Sequence, residues 1–204
     1  DIDNTLLDFD AYIRQTIAEG FAHFGLRPYE PYMEAVFHRE NNKLWRQLEQ
    51  GTLTFSELER IRWNIVFAAL DIRFDGPTFE RYFRAAIYDS AIPVDGAREL
   101  LAGLRGRYTL AAASNGPYDQ QLHRLALAGM KDDFDAFFRE INEGRAQPFT
   151  PAETAIIGDS LTSDMAGGRG YGLKTVYYRR PGAAPADGRV DVTVEDLRLA
   201  PALL

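Results

Sequence analysis

Near residue 91 the spacing of the apolar residues changes, and that change restricts the fold more than any other feature of the 204-residue chain. From about Ala11 to Ser90 they recur at helical intervals, as in Tyr12, Ile13, Ile17, Phe21 and Phe24, then Leu58, Ile61, Ile65, Phe67 and Leu70. Breaks at Gly25 to Pro31, Gly51-Thr52 and Asp75-Gly76-Pro77 divide this stretch into four helices, a bundle-like lobe. Thr54-Phe55-Ser56-Glu57 has the form of a capping box and opens the third. From Ile92 onward short apolar runs end in small or acidic residues and alternate with helical segments. Tyr108 to Ser114, Thr154 to Asp159 and Lys174 to Tyr178 predict buried parallel strands. Helices are predicted at about Asp95 to Leu104, Pro117 to Ala128 and Ser163 to Tyr171. That alternation is the mark of an α/β chain with a doubly wound parallel sheet.

In such sheets ligands bind beyond the carboxyl ends of the strands. Asp1-Ile2-Asp3, Ser114-Asn115 and Gly158-Asp159 lie at those ends, so three polar clusters are expected on one edge. An aspartate attacks phosphorus as a carboxylate and yields an aspartyl-phosphate that water later cleaves, which divides one hard step into two. A second carboxylate two residues on can protonate the leaving oxygen and afterwards activate water. Asp1 and Asp3 fit these two roles. Two carboxylates beside a phosphate need a hard cation with oxygen ligands, for which magnesium is suited, and Asp159 is the natural further donor. Ser114 precedes Asn115-Gly116-Pro117, which puts a hydroxyl, turn amides and a helix N-terminus where a phosphate oxygen would sit. Asp164 is expected either to support the metal ligands or to answer a helix macrodipole from the first turn.

Composition sets the limits. A formal net charge of −7 and the lack of any Lys/Arg-rich block argue against binding a nucleic acid polymer or a membrane surface. With no cysteine, thiolate catalysis, disulfides and cysteine metal sites are excluded. No apolar run approaches the roughly 18 residues that span a bilayer. A cytoplasmic protein, monomer or homodimer, acting on a small-molecule phosphomonoester is the expectation.

Asp1-Ile2-Asp3-Asn4-Thr5-Leu6-Leu7, Ser114-Asn115-Gly116 and Gly158-Asp159-Ser160 through Asp164 together resemble the first, second and fourth motifs of the haloacid dehalogenase-like hydrolases. The order and separation match over essentially the whole chain. The resemblance implies a Rossmann-like core, residues 1–8 and 93–204, with a helical cap inserted at 9–92 that opens and closes over Asp1. It implies Asp1 as nucleophile and Asp3 as acid/base, with Asp1, the Asp3 carbonyl and Asp159 holding magnesium. Aspartate at position 3 favours a phosphatase over a dehalogenase, which does not need that acid. Gly158 to Asp164 with Gly167-Gly168, and Leu44 to Gly51 with Leu53-Thr54, are similar to the pyrimidine 5′-nucleotidase branch, which implies nucleoside 5′-monophosphates as substrates. A sugar-phosphate or phosphoglycolate-type phosphatase is the rival enzyme, and a catalytically impaired interaction protein the rival from another class.

The family pattern also requires a lysine ahead of the fourth motif. Glu143-Gly144-Arg145-Ala146-Gln147-Pro148-Phe149 has none, and about a dozen residues needed for a crossover before the Thr154 strand are lacking. We expect residues to be missing here and ahead of Asp1, among them the lysine and a first strand. If Gln147 is joined directly to Pro148, an impaired enzyme is the reading, because Arg145 does not reproduce a lysine's geometry. His23, His38 and His123 lack metal-ligand spacing and are assigned no role. Tyr32, Phe37 and Trp45 fit a packed core before a base-binding wall. Lys43 and Arg46 fit surface charge, and Gly167, Gly168 and Gly170 suit a helix packed tightly on the sheet.

Overall fold

The structure, a computed structural model, describes residues 1–139 and 149–204 and divides into two compact units, Asp1–Phe9 with Ala91–Leu204 and Asp10–Ser90. The lysine-motif stretch falls almost wholly on 140–148, outside the described residues.

The smaller unit is built from α1 (Phe9–His23), α2 (Tyr32–Glu49), α3 (Phe55–Ala69) and α4 (Gly76–Tyr88), separated at the predicted breaks. The Thr54 hydroxyl accepts from the Glu57 amide, and the Glu57 carboxylate accepts from the Thr54 amide at 2.9 Å, so α3 begins with both halves of the capping box made. Asp75 caps α4 by accepting from the Thr78 amide at 2.9 Å. The helices enclose an aromatic core in which Phe21, Phe37, Trp63, Phe67, Phe79 and Phe83 are fully buried. The Trp63 and Phe79 rings lie 4.2 Å apart, and packing of this kind holds the bundle more than helix propensity does. Phe37 is thus core. Trp45 is half-buried with its ring 6.0 Å from Phe55, while Tyr32 is exposed and its hydroxyl accepts from Arg27 at 2.6 Å. Lys43 bonds Glu40 at 2.8 Å.

The larger unit is α/β, and its described strands pair in parallel. β1 (Ala111–Ala112) pairs with β2 (Ala136–Phe137), and β3 (Ala155–Gly158), β4 (Lys174–Tyr178) and β5 (Val192–Val194) form a second ladder in that order. The Asp1 nitrogen donates to the Ile157 carbonyl at 2.9 Å, which ties the amino-terminal residues to the end of β3. Ile2, Leu6 and Leu7 join Leu110, Ala112, Val176, Tyr178 and Val194 in one apolar cluster, so both ladders share a core. Around it lie α5 (Ala97–Leu104), α6 (Tyr118–Leu127) and α7 (Ala166–Tyr171). Among the described residues, no helix is long and apolar enough to cross a membrane.

Three sequence expectations change in detail. The run Tyr108 to Ser114 makes ladder pairs only at Ala111 and Ala112, while β2 and β5 are strands the apolar pattern did not announce. The helix expected from Ser163 opens instead as a single π-helical turn, Leu161–Met165, before α7. Of the three glycines on that helix only Gly168 is there for close packing: a Cβ would meet Ile156 Cγ2 at 2.5 Å, whereas Gly167 and Gly170 face open space.

Candidate active site

The chain after Asp3 turns sharply. Asn4 takes a left-handed backbone with φ 63°, a conformation asparagine tolerates better than most residues. The Ile2 carbonyl then accepts the amides of Leu6 at 2.8 Å and Leu7 at 2.9 Å. This turn brings buried Thr5 back beneath Asp1, where its hydroxyl donates to Asp1 Oδ2 at 2.8 Å. The first carboxylate is therefore held from its own loop.

At the end of β3, Asp159 and Asp164 each offer a carboxylate oxygen that lies, with one from Asp1, within 4.8 Å of the others. The Ser160 hydroxyl accepts from the Ser163 amide at 3.1 Å and caps the π-turn, which widens the helix entry and carries Asp164 inward. Its Oδ2 accepts from the Ser160 amide at 3.0 Å. Burial pushes the Asp164 carboxyl above the ordinary aspartate range, partly offset by the backbone amides of Ser160 and Asp159. Gly158 is required here because a Cβ at that position would collide with the Asp164 carboxylate. On the far side Arg180, just past the end of β4, donates from Nε to Asp159 Oδ2 at 2.9 Å.

Asp3 points elsewhere. Its Oδ1 accepts from Arg124 Nη1 at 2.6 Å and its Oδ2 from Gln121 Nε2 at 2.7 Å, both on α6. The same Gln121 nitrogen donates to Ser114 Oγ at 2.7 Å. Asn115 Nδ2 reaches Ser163 Oγ at 3.4 Å. The three predicted clusters are thus linked in pairs: Asp1 with Asp159 and Asp164, Asp3 with Ser114 through Gln121, and Asn115 with the π-turn. A cleft of about 520 Å³ opens beside them, lined by Ile2, Ser114, Asn115, Gly116, Tyr118 and Arg139 among others.

Every site residue expected from the sequence lies in this region, with one difference in placement. Asp164, expected to support the ligands, brings an oxygen of its own into the acidic group. Thr5, Gln121, Arg124 and Arg180 went unnoticed in the sequence. Arg180 had a signal, since it lies just beyond the run Lys174 to Tyr178, a strand in a sheet whose strand ends bind ligands. Gln121 and Arg124 share one helix face at i and i+3. In the helical unit His38 is not an isolated helix residue: its Nε2 lies 3.3 Å from Asp10 and 3.8 Å from Glu34, an i,i+4 neighbour.

Hard oxygen donors from three carboxylates, two of them already steadied by Thr5 and Arg180, suit a magnesium ion. A parallel α/β core with clustered acidic groups at its strand ends defines a class of hydrolase, and comparison with known proteins supplies the family. The family model for haloacid dehalogenase-like hydrolases matches residues 1–172, and the chain belongs to that family. The putative HAD-hydrolase YfnB of Bacillus subtilis is 29% identical over 191 residues, covering 87% of this chain and 81% of that one. Pyrimidine 5′-nucleotidase PynA of Streptococcus pneumoniae is 30% identical over 193 residues with the same coverage. The crystal structure of YfnB bound to magnesium superposes with a TM-score of 0.87 at 26% identity, over 100% of this chain and 95% of that one.

Proposed function

We propose that the chain is a magnesium-dependent phosphomonoester hydrolase working through an aspartyl-phosphate, and that nucleoside 5′-monophosphates, pyrimidine nucleotides among them, are its substrates. The observation that carries this reading is the pairwise linkage of the three motif clusters at the strand ends. PynA, a pyrimidine 5′-nucleotidase by name, supports the substrate class.

In this reading a carboxylate oxygen of Asp1 attacks phosphorus and the bond to the leaving oxygen breaks. Asp3 gives that oxygen its proton and later takes one from the water that cleaves the aspartyl-phosphate, so protons balance over the cycle. Ser114 and Asn115 hold phosphate oxygens. Asp1, Asp159 and Asp164, with the Asp3 carbonyl, are the residues that would hold magnesium, which when bound offsets the negative charge gathered between nucleophile and phosphate. The larger unit performs the chemistry, and the helical unit is the cap that selects substrate.

Released phosphate from a panel of nucleotides, sugar phosphates and phosphoglycolate tests the proposal. Magnesium-dependent turnover with nucleotides preferred, abolished in Asp1→Asn, is the expected result. Preference for sugar phosphates or phosphoglycolate would replace the substrate class. Absence of turnover on every ester would leave a non-catalytic member of the family.

A further inference from the structure

Resting on the proposed phosphoryl transfer, we infer that Gln121 and Arg124 are positioning residues that lock the proton donor Asp3 and the hydroxyl of Ser114 into one rigid unit. The case begins with burial. Arg124 is completely buried and Gln121 is 4% exposed, although both sit on a helix at the surface of an α/β layer. Withdrawing a guanidinium from water is unfavourable, and the pairing it gains must answer for that. Its Nη1 donates both to Asp3 Oδ1 at 2.6 Å and to Gln121 Oε1 at 2.8 Å. The second bond fixes which way the Gln121 amide faces: its oxygen turns to Arg124 and its nitrogen to the site.

From that nitrogen two bonds go out, to Asp3 Oδ2 and to Ser114 Oγ, each 2.7 Å. Asp3 therefore accepts one bond on each oxygen and cannot rotate without breaking one. Ser114 Oγ accepts from Gln121 and from the Gly116 amide at 3.1 Å. With both lone pairs used, its hydroxyl proton is left to donate, the sense required by an anionic phosphate oxygen. Gly116 makes room for this arrangement, since a Cβ there would stand 2.7 Å from Gln121 Nε2. Two residues outside the recognised motif positions, Gln121 and Arg124, thus serve two inside them, Asp3 and Ser114.

Leaving-group dependence separates positioning of a proton donor from mere support of the fold. An alkyl phosphate leaves as a basic oxygen that needs the proton, whereas a dinitrophenyl phosphate departs without one. Gln121→Met is expected to lower kcat/KM about 100-fold on the alkyl ester, as loss of acid catalysis does. On the aryl ester the fall should stay within about 10-fold, as for loss of a supporting partner. In an Asp3→Asn background the same substitution should add no leaving-group-dependent loss, because its effect passes through Asp3. Arg124→Lys, which keeps charge and most of the volume, carries the same expectation if Gln121→Met does not fold. Equal losses on both esters, or full additivity with Asp3→Asn, would overturn the inference while leaving the hydrolase reading intact. A parent protein inert on both esters and on the nucleotide panel would overturn both.

Discussion

Thr5 shows how much of the site is set by single side chains. It is 1% exposed, and its hydroxyl is spent on Asp1 Oδ2. Thr5→Val keeps the shape and removes the donor, so the Asp1 carboxylate gains a degree of freedom at the moment of attack. The expected loss in kcat is about 10-fold, at the lower end for partners that orient reacting or ligating groups. Steady-state kinetics on a nucleotide check it, and an unchanged kcat would show that the loop backbone alone holds Asp1. Asp159 was legible in the sequence because it ends the apolar run from Thr154, and Asp1, Asp3 and Asp164 because they occur with it in the order and separation of the family's motifs. Gln121 and Arg124 were not: on a helix a polar residue is ordinarily solvated, and only the fold shows that this face of α6 looks inward.

At the scale of elements, legibility followed length. The four helices of 9–88 each carry several turns of apolar periodicity, with turn residues or caps at the breaks. β2 and β5 span two and three residues, too short for any period to register, and Val192–Val194 is flanked by charge. The capping box of α3 offers a direct test. Thr54→Ala should cost about 1 kcal/mol in urea denaturation at neutral pH. The Thr54 hydroxyl, and after it the Thr54 amide, holds the Glu57 carboxyl below its ordinary range. A depressed folded-state pKa means a contribution present above the unfolded value and lost as pH falls through the folded one. The difference between parent and Thr54→Ala should therefore shrink in acid; a gap independent of pH would show that the Glu57 half of the box is idle.

For the whole molecule, the proposed metal site couples ligand binding to stability. Three carboxylates gathered within 4.8 Å repel one another, so an ion that binds only the folded chain raises its stability by mass action. At a hundredfold excess over Kd the gain is about 2.7 kcal/mol, readable by calorimetry as a higher Tm. Asp159→Asn should abolish most of the magnesium-dependent rise. A rise that survives this change would place the ion elsewhere. Because the chain forms two units with separate cores, the transition that moves with magnesium should be that of residues 1–9 and 91–204.

The missing side chain at Gly158 has a consequence for how this protein can change. Any other amino acid there would displace the Asp164 carboxylate, so the position is closed to drift while Gly167, further along the chain and with open space beside it, is free to vary. Descendants of this sequence can acquire new specificities through their loops and helices, yet the atom-wide gap behind the acidic group must be inherited unaltered.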